Sequence, residues 1–108
     1  MSNIEKKVEE LKTMLDNNED FILLDVRTEN EVLVSKISNN SIHIPMNEIP
    51  NRLTELDANK EIVVYCKSGK RSAKVCEYLK QNNYTNVKNL NGGILAWAKQ
   101  IDSSILVY

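Results

Sequence analysis

The residues with the clearest capacity for chemistry lie in one stretch, Ile62-Val63-Val64-Tyr65-Cys66-Lys67-Ser68-Gly69-Lys70-Arg71-Ser72. An apolar run ends at a cysteine, a short polar loop containing glycine follows, and a sequence suited to a helix comes next. A loop that curls into a helix N-terminus aims several backbone N–H groups inward, and with the helix dipole they favour an anion at the centre. Cys66 would occupy that centre. An ordinary thiol titrates near pH ~8.5; this setting, with Lys67, Lys70, Arg71 and Lys74 close in sequence, lowers that value and supplies thiolate at neutral pH. No acid occurs between Glu61 and Glu77 to cancel those cations. A cysteine that merely ended a buried strand would need neither Gly69 nor a loop of Lys, Ser, Lys and Arg. Cys66 is therefore the candidate nucleophile, and Lys67, Ser68, Gly69, Lys70, Arg71 and Ser72 form the candidate substrate-binding loop.

The remaining reactive residue types read differently. Cys76 shares an apolar helix face with Val75 and Leu79 and is expected to pack against a sheet. His43, the only histidine, lies on a short apolar run and is expected to be packed or hydrogen-bonded rather than a general base. Asp25 and Arg27 follow another apolar run and are expected to form a supporting pair at the same rim. Arg71 has two readings, binding donor oxygens or pairing with an acid such as Asp25 to hold the loop. Neither a metal nor a cofactor is expected.

The elements that must position these groups follow from periodicity. Phe21 to Val26 and Ile62 to Cys66 are apolar at consecutive positions, as strands covered on both faces of a parallel sheet are. Parallel strands require crossover helices. Helices are expected at Ile4 to Leu15, where Ile4, Val8, Leu11 and Leu15 recur at helical spacing and Asn17-Asn18 ends the run. Further helices are expected at Glu48 to Leu56, with Pro50 in the first turn, and at Arg71 to Gln81. Ile42 to Ile44 and Asn86 to Leu90 are shorter strand candidates. Asn91-Gly92-Gly93 breaks the pattern before a last short helix at Ile94 to Ala98. The class is α/β, read as an N-terminal helix over 1–17, a core over 21–100 and a tail over 101–108.

Composition sets the outer limits. With 108 residues and 42% apolar content, the chain has room for one domain and one core. Fourteen Lys and Arg against fifteen Asp and Glu leave a net charge of −1. That balance argues against nucleic acid or an acidic membrane surface as the main partner. Two cysteines are too few for a disulfide framework, and Met1 is followed by polar Ser2-Asn3, so the cytoplasm is the expected location. No apolar run approaches the roughly 20 residues of a membrane helix.

Four segments in order carry a resemblance to a known family. Leu23-Leu24-Asp25-Val26-Arg27 resembles the first-strand signature of the rhodanese family, with Glu29 and Glu31 in the acidic stretch that commonly follows. Ile42-His43-Ile44-Pro45 is similar to the family's next strand and turn, Cys66 to Ser72 to its active-site loop, and Asn91-Gly92-Gly93-Ile94-Leu95-Ala96-Trp97 to its C-terminal signature. Where many relatives read Gly-His-Ile-Pro-Gly-Ala, this chain has Ser35-Lys36-Ile37-Ser38-Asn39-Asn40, and Val32 stands where an aromatic is common.

The resemblance implies a rhodanese-like α/β fold with a central, mostly parallel sheet of about four or five short strands and helices on both faces. It also implies a sulfurtransferase. Cys66 would take a sulfane sulfur from thiosulfate or a protein persulfide, hold it as a persulfide and pass it to a thiophilic acceptor. The tail from Ala96 to Tyr108 is similar to the end of the rhodanese domain fused behind the adenylating domain in molybdopterin- and thiamine-type adenylyltransferase/sulfurtransferases. A ubiquitin-like sulfur carrier or an adenylyltransferase is therefore an implied partner.

Two rival functions are distinguishable. Cysteine-dependent phosphatases and arsenate reductases of related fold place five residues between Cys and Arg, whereas four, Lys67 to Lys70, separate Cys66 from Arg71. The shorter loop offers too few N–H groups for a larger tetrahedral oxyanion. A non-catalytic binding module of this fold is marked by loss of the cysteine, and Cys66 is present.

Overall fold

In the computed structural model, which describes residues 4–107, five short strands run parallel in one sheet. They are β1 (Glu5–Lys6), β2 (Ile22–Asp25), β3 (Ile42–His43), β4 (Ile62–Tyr65) and β5 (Val87–Leu90), in the order β1-β5-β4-β2-β3. The helices are α1 (Val8–Asp16), α2 (Glu29–Val34), α3 (Ile49–Arg52), α4 (Lys70–Gln81) and α5 (Gly93–Gln100).

Every residue of β2 and β4 is buried because both faces of the sheet are covered. Successive side chains of a strand point to opposite faces, so consecutive apolar residues feed two cores. Ile22, Leu24, Val26, Ile62, Val64 and Cys66 meet Ile49 of α3 and Val75, Cys76 and Leu79 of α4. Leu23, Val63 and Tyr65 meet Val8, Leu11 and Met14 of α1 and Ile94 and Trp97 of α5. Each Val, Leu, Ile or Met side chain among these, when fully buried, contributes about 1.5–3 kcal/mol. Ile105 and Val107 of the tail pack against this second core.

Three expected boundaries need correction. The first helix begins at Val8 rather than Ile4, because Glu5–Lys6 adds to the sheet edge in register with Asn89 and Leu90. Lys7 is extended, with φ −75° and ψ 151°, and its N–H is taken by the Glu10 carboxylate at 2.9 Å, which starts the helix there. Ile4, counted on the helix stripe, is instead 56% exposed. The expected helix from Glu48 to Leu56 is one α-turn, Ile49–Arg52, between two 3-10 turns, Met46–Glu48 and Leu53–Glu55. Glu29–Val34, read only as an acidic stretch, is a helix.

The topology places the chemistry. From β2 the chain crosses to β3 on one side, and from β4 it crosses to β5 on the other. The carboxyl ends of β2 and β4 therefore flank the point where the strand order reverses, the site at which open α/β sheets bind ligands. Asp25 ends β2 and Cys66 follows β4.

Candidate active site

The loop after β4 is shaped from both ends. Gly69 caps α4 with φ 100°, a left-handed backbone that side-chain-bearing residues rarely adopt. That turn brings the Gly69 N–H to 3.1 Å from Cys66 Sγ. On the other side, the first turn of α5 receives the carbonyls of the loop: Ile94 N–H donates to Cys66 O at 3.0 Å and Leu95 N–H to Lys67 O at 3.1 Å. Gly93 makes this docking possible, since a Cβ there would lie 2.4 Å from Lys67 O and 2.6 Å from Cys66 O. With its carbonyls held by α5, the loop turns N–H groups toward the sulfur. Asn91-Gly92-Gly93, expected to break the pattern before the last helix, thus also lets α5 dock on the cysteine loop.

Cys66 Sγ is 3.4 Å from the Ser72 N–H and 3.3 Å from the Ser72 hydroxyl in addition to Gly69. Burial, with 1% of the residue exposed, opposes the thiolate. Hydrogen bonds from the Ser72 hydroxyl and from the N–H groups of Ser72, Gly69 and Ser68 outweigh it, so the thiol titrates below its ordinary value. The lowering comes chiefly from these hydrogen bonds rather than from the neighbouring cations. Lys67 is half-buried, while Ser68 and Lys70 are exposed at the mouth of the loop. Cys76 is the opposite case: buried in the core against α4's own face of the sheet, its thiol is pushed up to about 12 by burial.

Arg71 does not pair with Asp25. Its guanidinium forms a two-point ion pair with Glu31 of α2, Nη1 to Oε1 at 2.7 Å and Nη2 to Oε2 at 2.8 Å. The Arg71 hydrogen bond holds the Glu31 carboxyl down to about 2, against the opposing effect of burial. Glu31 also closes the start of α2, where its Oε1 accepts the Thr28 N–H at 3.1 Å and Thr28 Oγ1 accepts the Glu31 N–H at 3.3 Å. Sequence reasoning missed this partner. The spacing Thr28-Glu29-Asn30-Glu31 is a capping-box signal for a helix start, and reading it would have placed Glu31 at the rim.

Asp25 and Arg27 meet each other and not the sulfur. Arg27 Nη2 lies 2.8 Å from Asp25 Oδ2 and Nε lies 3.0 Å from Oδ1, with the two residues 1% and 2% exposed. Arg27 Nη2 also donates to Ser35 O at 2.7 Å, and its guanidinium carbon sits 5.5 Å from the centre of the Tyr65 ring. The buried pair thereby ties the segment after α2 to the ends of β2 and β4. His43 Nε2 lies 2.7 Å from the Arg27 carbonyl, which only accepts, so Nε2 carries the proton. Asn89 of β5, inside the expected strand Asn86 to Leu90 but given no role at the site, is buried beside Ser72 and Gly69. Among the described residues no group of three or more His, Cys, Asp or Glu could hold a metal ion, and no helix is long and apolar enough to cross a membrane.

Comparison with known proteins agrees with the fold. A sulfurtransferase of Allochromatium vinosum is 42% identical over 91 residues, covering 84% of each chain. An adenylyltransferase and sulfurtransferase of Zea mays is 32% identical over 106 residues, covering 92% of this chain and 22% of the longer protein. The crystal structure of a rhodanese-like domain protein from Staphylococcus aureus superposes with a TM-score of 0.81 at 34% identity, over 100% of this chain and 99% of that one. Residues 7–100 match the model of the rhodanese-like domain, and the chain belongs to that family.

Proposed function

We propose that residues 1–108 act as a single sulfurtransferase domain in which Cys66 carries the transferred sulfur. One observation supports this above the others: the sulfur of a buried cysteine is met by the N–H groups of Ser68, Gly69 and Ser72 and by the Ser72 hydroxyl. Such a cradle stabilises negative charge on sulfur as an oxyanion hole does on oxygen. The relatives named sulfurtransferase give the reaction class.

The Cys66 thiolate attacks the outer sulfur of thiosulfate; the new S–S bond forms as the old one breaks, and sulfite leaves with the electron pair. The product, Cys66-S-S⁻, presents a terminal sulfur anion to the loop N–H groups. An acceptor nucleophile then takes that sulfur and restores the thiolate. No oxidant or proton donor is required, so His43 has no step to perform. A protein persulfide can replace thiosulfate as donor.

In this reading Lys67 and Lys70 attract the anionic donor, Ser68, Gly69 and Ser72 hold the sulfur, and Arg71, engaged by Glu31, braces the loop. Asp25 and Arg27 support the rim from β2. The reaction takes place in the cytoplasm; its partner is a ubiquitin-like sulfur carrier or an adenylyltransferase, a choice of partner supported by the similarity to the adenylyltransferase and sulfurtransferase of Zea mays.

Steady-state transfer from thiosulfate to cyanide tests the assignment. Cys66→Ser should fold and lose turnover, because a hydroxyl cannot become the sulfur-bearing anion. Cys76→Ala should retain turnover and lose roughly 1 kcal/mol of stability. Comparable turnover in the parent and Cys66→Ser would refute the role of Cys66.

A further inference from the structure

Asn89 is a polar residue in a strand covered on both faces, only 3% exposed. Its amide meets the cysteine loop at two points. Nδ2 donates to the Gly69 carbonyl at 3.1 Å and approaches Glu5 Oε1 of β1 at 3.4 Å. With two acceptors facing the nitrogen, the amide orientation is settled, and Oδ1 accepts the Ser72 hydroxyl at 2.5 Å. Ser72 Oγ lies in turn 3.3 Å from Cys66 Sγ.

The geometry matters because a serine inside a helix has an alternative. Its hydroxyl can turn back to the carbonyl one turn earlier, which would take it away from the sulfur. The Asn89 carbonyl oxygen draws it toward β5, on the side where Cys66 lies. Gly69, whose N–H reaches the sulfur, is anchored through its carbonyl by the same side chain. The Ser72 hydroxyl has a single proton, shared between Asn89 Oδ1 and Cys66 Sγ, so Asn89 holds its oxygen in place while competing for its proton; the Gly69 N–H is the donor that the buried amide supports without competition.

We propose that Asn89 is a positioning residue for sulfur transfer, fixing from β5 the Ser72 hydroxyl and the Gly69 backbone that together cradle the sulfur of Cys66. The inference rests on Cys66 being the sulfur-carrying residue. Asn89 itself touches no reacting atom.

Charges near the cradle come from several elements. Arg71 of α4 and Cys66 interact through space, and Arg71 is also influenced by Asp25 of β2 and held by Glu31 of α2, while the Cys76 thiol, pushed up to about 12, stays neutral. Lys67 and Lys70 flank the sulfur in sequence, and Glu5 reaches Asn89 from β1. Asn89→Leu changes none of these residues while removing the hydrogen bonds to the Gly69 carbonyl, the Ser72 hydroxyl and Glu5 Oε1 at similar side-chain size.

The test is the rate of Cys66 alkylation by iodoacetamide as a function of pH, read by peptide mass, which needs no sulfur transfer. By freeing the Gly69 backbone, Asn89→Leu should move the inflection upward by about one pH unit, the effect of weakening a hydrogen bond to a charged group. In thiosulfate-to-cyanide transfer it should lower kcat while the KM for thiosulfate changes less than about twofold. In a Ser72→Ala background the same substitution should shift the inflection upward at least as far, since no released hydroxyl proton then turns to the sulfur. A folded Asn89→Leu protein with its inflection at or below the parent value overturns the inference. If that variant does not fold, the unmodified protein decides: the Asn89 side-chain amide resonances should titrate together with Cys66, and resonances that stay flat overturn it. A parent protein that takes no sulfur from thiosulfate or a protein persulfide instead removes the transfer reading, a failure distinct from an unshifted alkylation profile.

Discussion

Lys67, half-buried, and Lys70, exposed, differ from Arg71, which spends its charge on Glu31. If they gather the anionic donor, Lys67→Ala and Lys70→Ala should each raise the KM for thiosulfate by about 2- to 5-fold, the range of exposed charge interactions. Added salt should weaken donor binding in the parent in the same direction through screening. Thermal stability should scarcely move. An unchanged KM in the double variant at low and high salt would assign donor recognition to the loop N–H groups alone. Glu31 makes a different, pH-dependent prediction. Its carboxyl is held down to about 2, chiefly by the Arg71 hydrogen bond, from an ordinary value of 4.5. The pair therefore stabilises the fold above the unfolded value near 4.5, and that stability is lost as pH falls through about 2. In urea melts, Glu31→Gln should be less stable than the parent near neutrality, and the two should converge toward pH 2. A gap of constant size across that range would show that the ion pair does not hold α2 to α4.

At the scale of elements, the loop between β4 and α4 is clamped, since α5 holds its carbonyls and Gly69 opens α4. Its length then decides which anion fits. Four residues, Lys67 to Lys70, lie between Cys66 and Arg71, and the N–H groups converge on one sulfur rather than on three phosphoryl oxygens. The protein should transfer sulfur and show no significant hydrolysis of an aryl phosphate. Inserting one residue between Ser68 and Gly69 should lower sulfur transfer by about tenfold or more and improve binding of phosphate or arsenate. Cys66-dependent phosphatase turnover faster than sulfur transfer in the unmodified protein would overturn the spacing argument.

Across the whole molecule, what could be read from the sequence was what repeats or clusters locally. β2 and β4 are consecutive apolar runs because both faces are covered, and the cysteine loop declares itself by composition. β1 escaped because an edge strand of two residues, Glu5–Lys6, has no apolar pattern and continues directly into a genuine helix stripe. α2 escaped because none of its residues is buried, so it has no stripe. Glu31–Arg71 and Asn89–Ser72 escaped because each joins elements distant in sequence, and such pairings depend on strand order, which periodicity does not encode. Strand order is also what places the ends of β2 and β4 together at the reversal point. The whole architecture thus converges on a single sulfur atom, and the intact mass of the protein after incubation with thiosulfate tests that most directly. The parent should gain one sulfur atom, located on Cys66 and lost on adding cyanide, and Cys66→Ser should gain none. A parent whose mass does not change, or a Cys66→Ser variant that still takes up sulfur, would contradict the account.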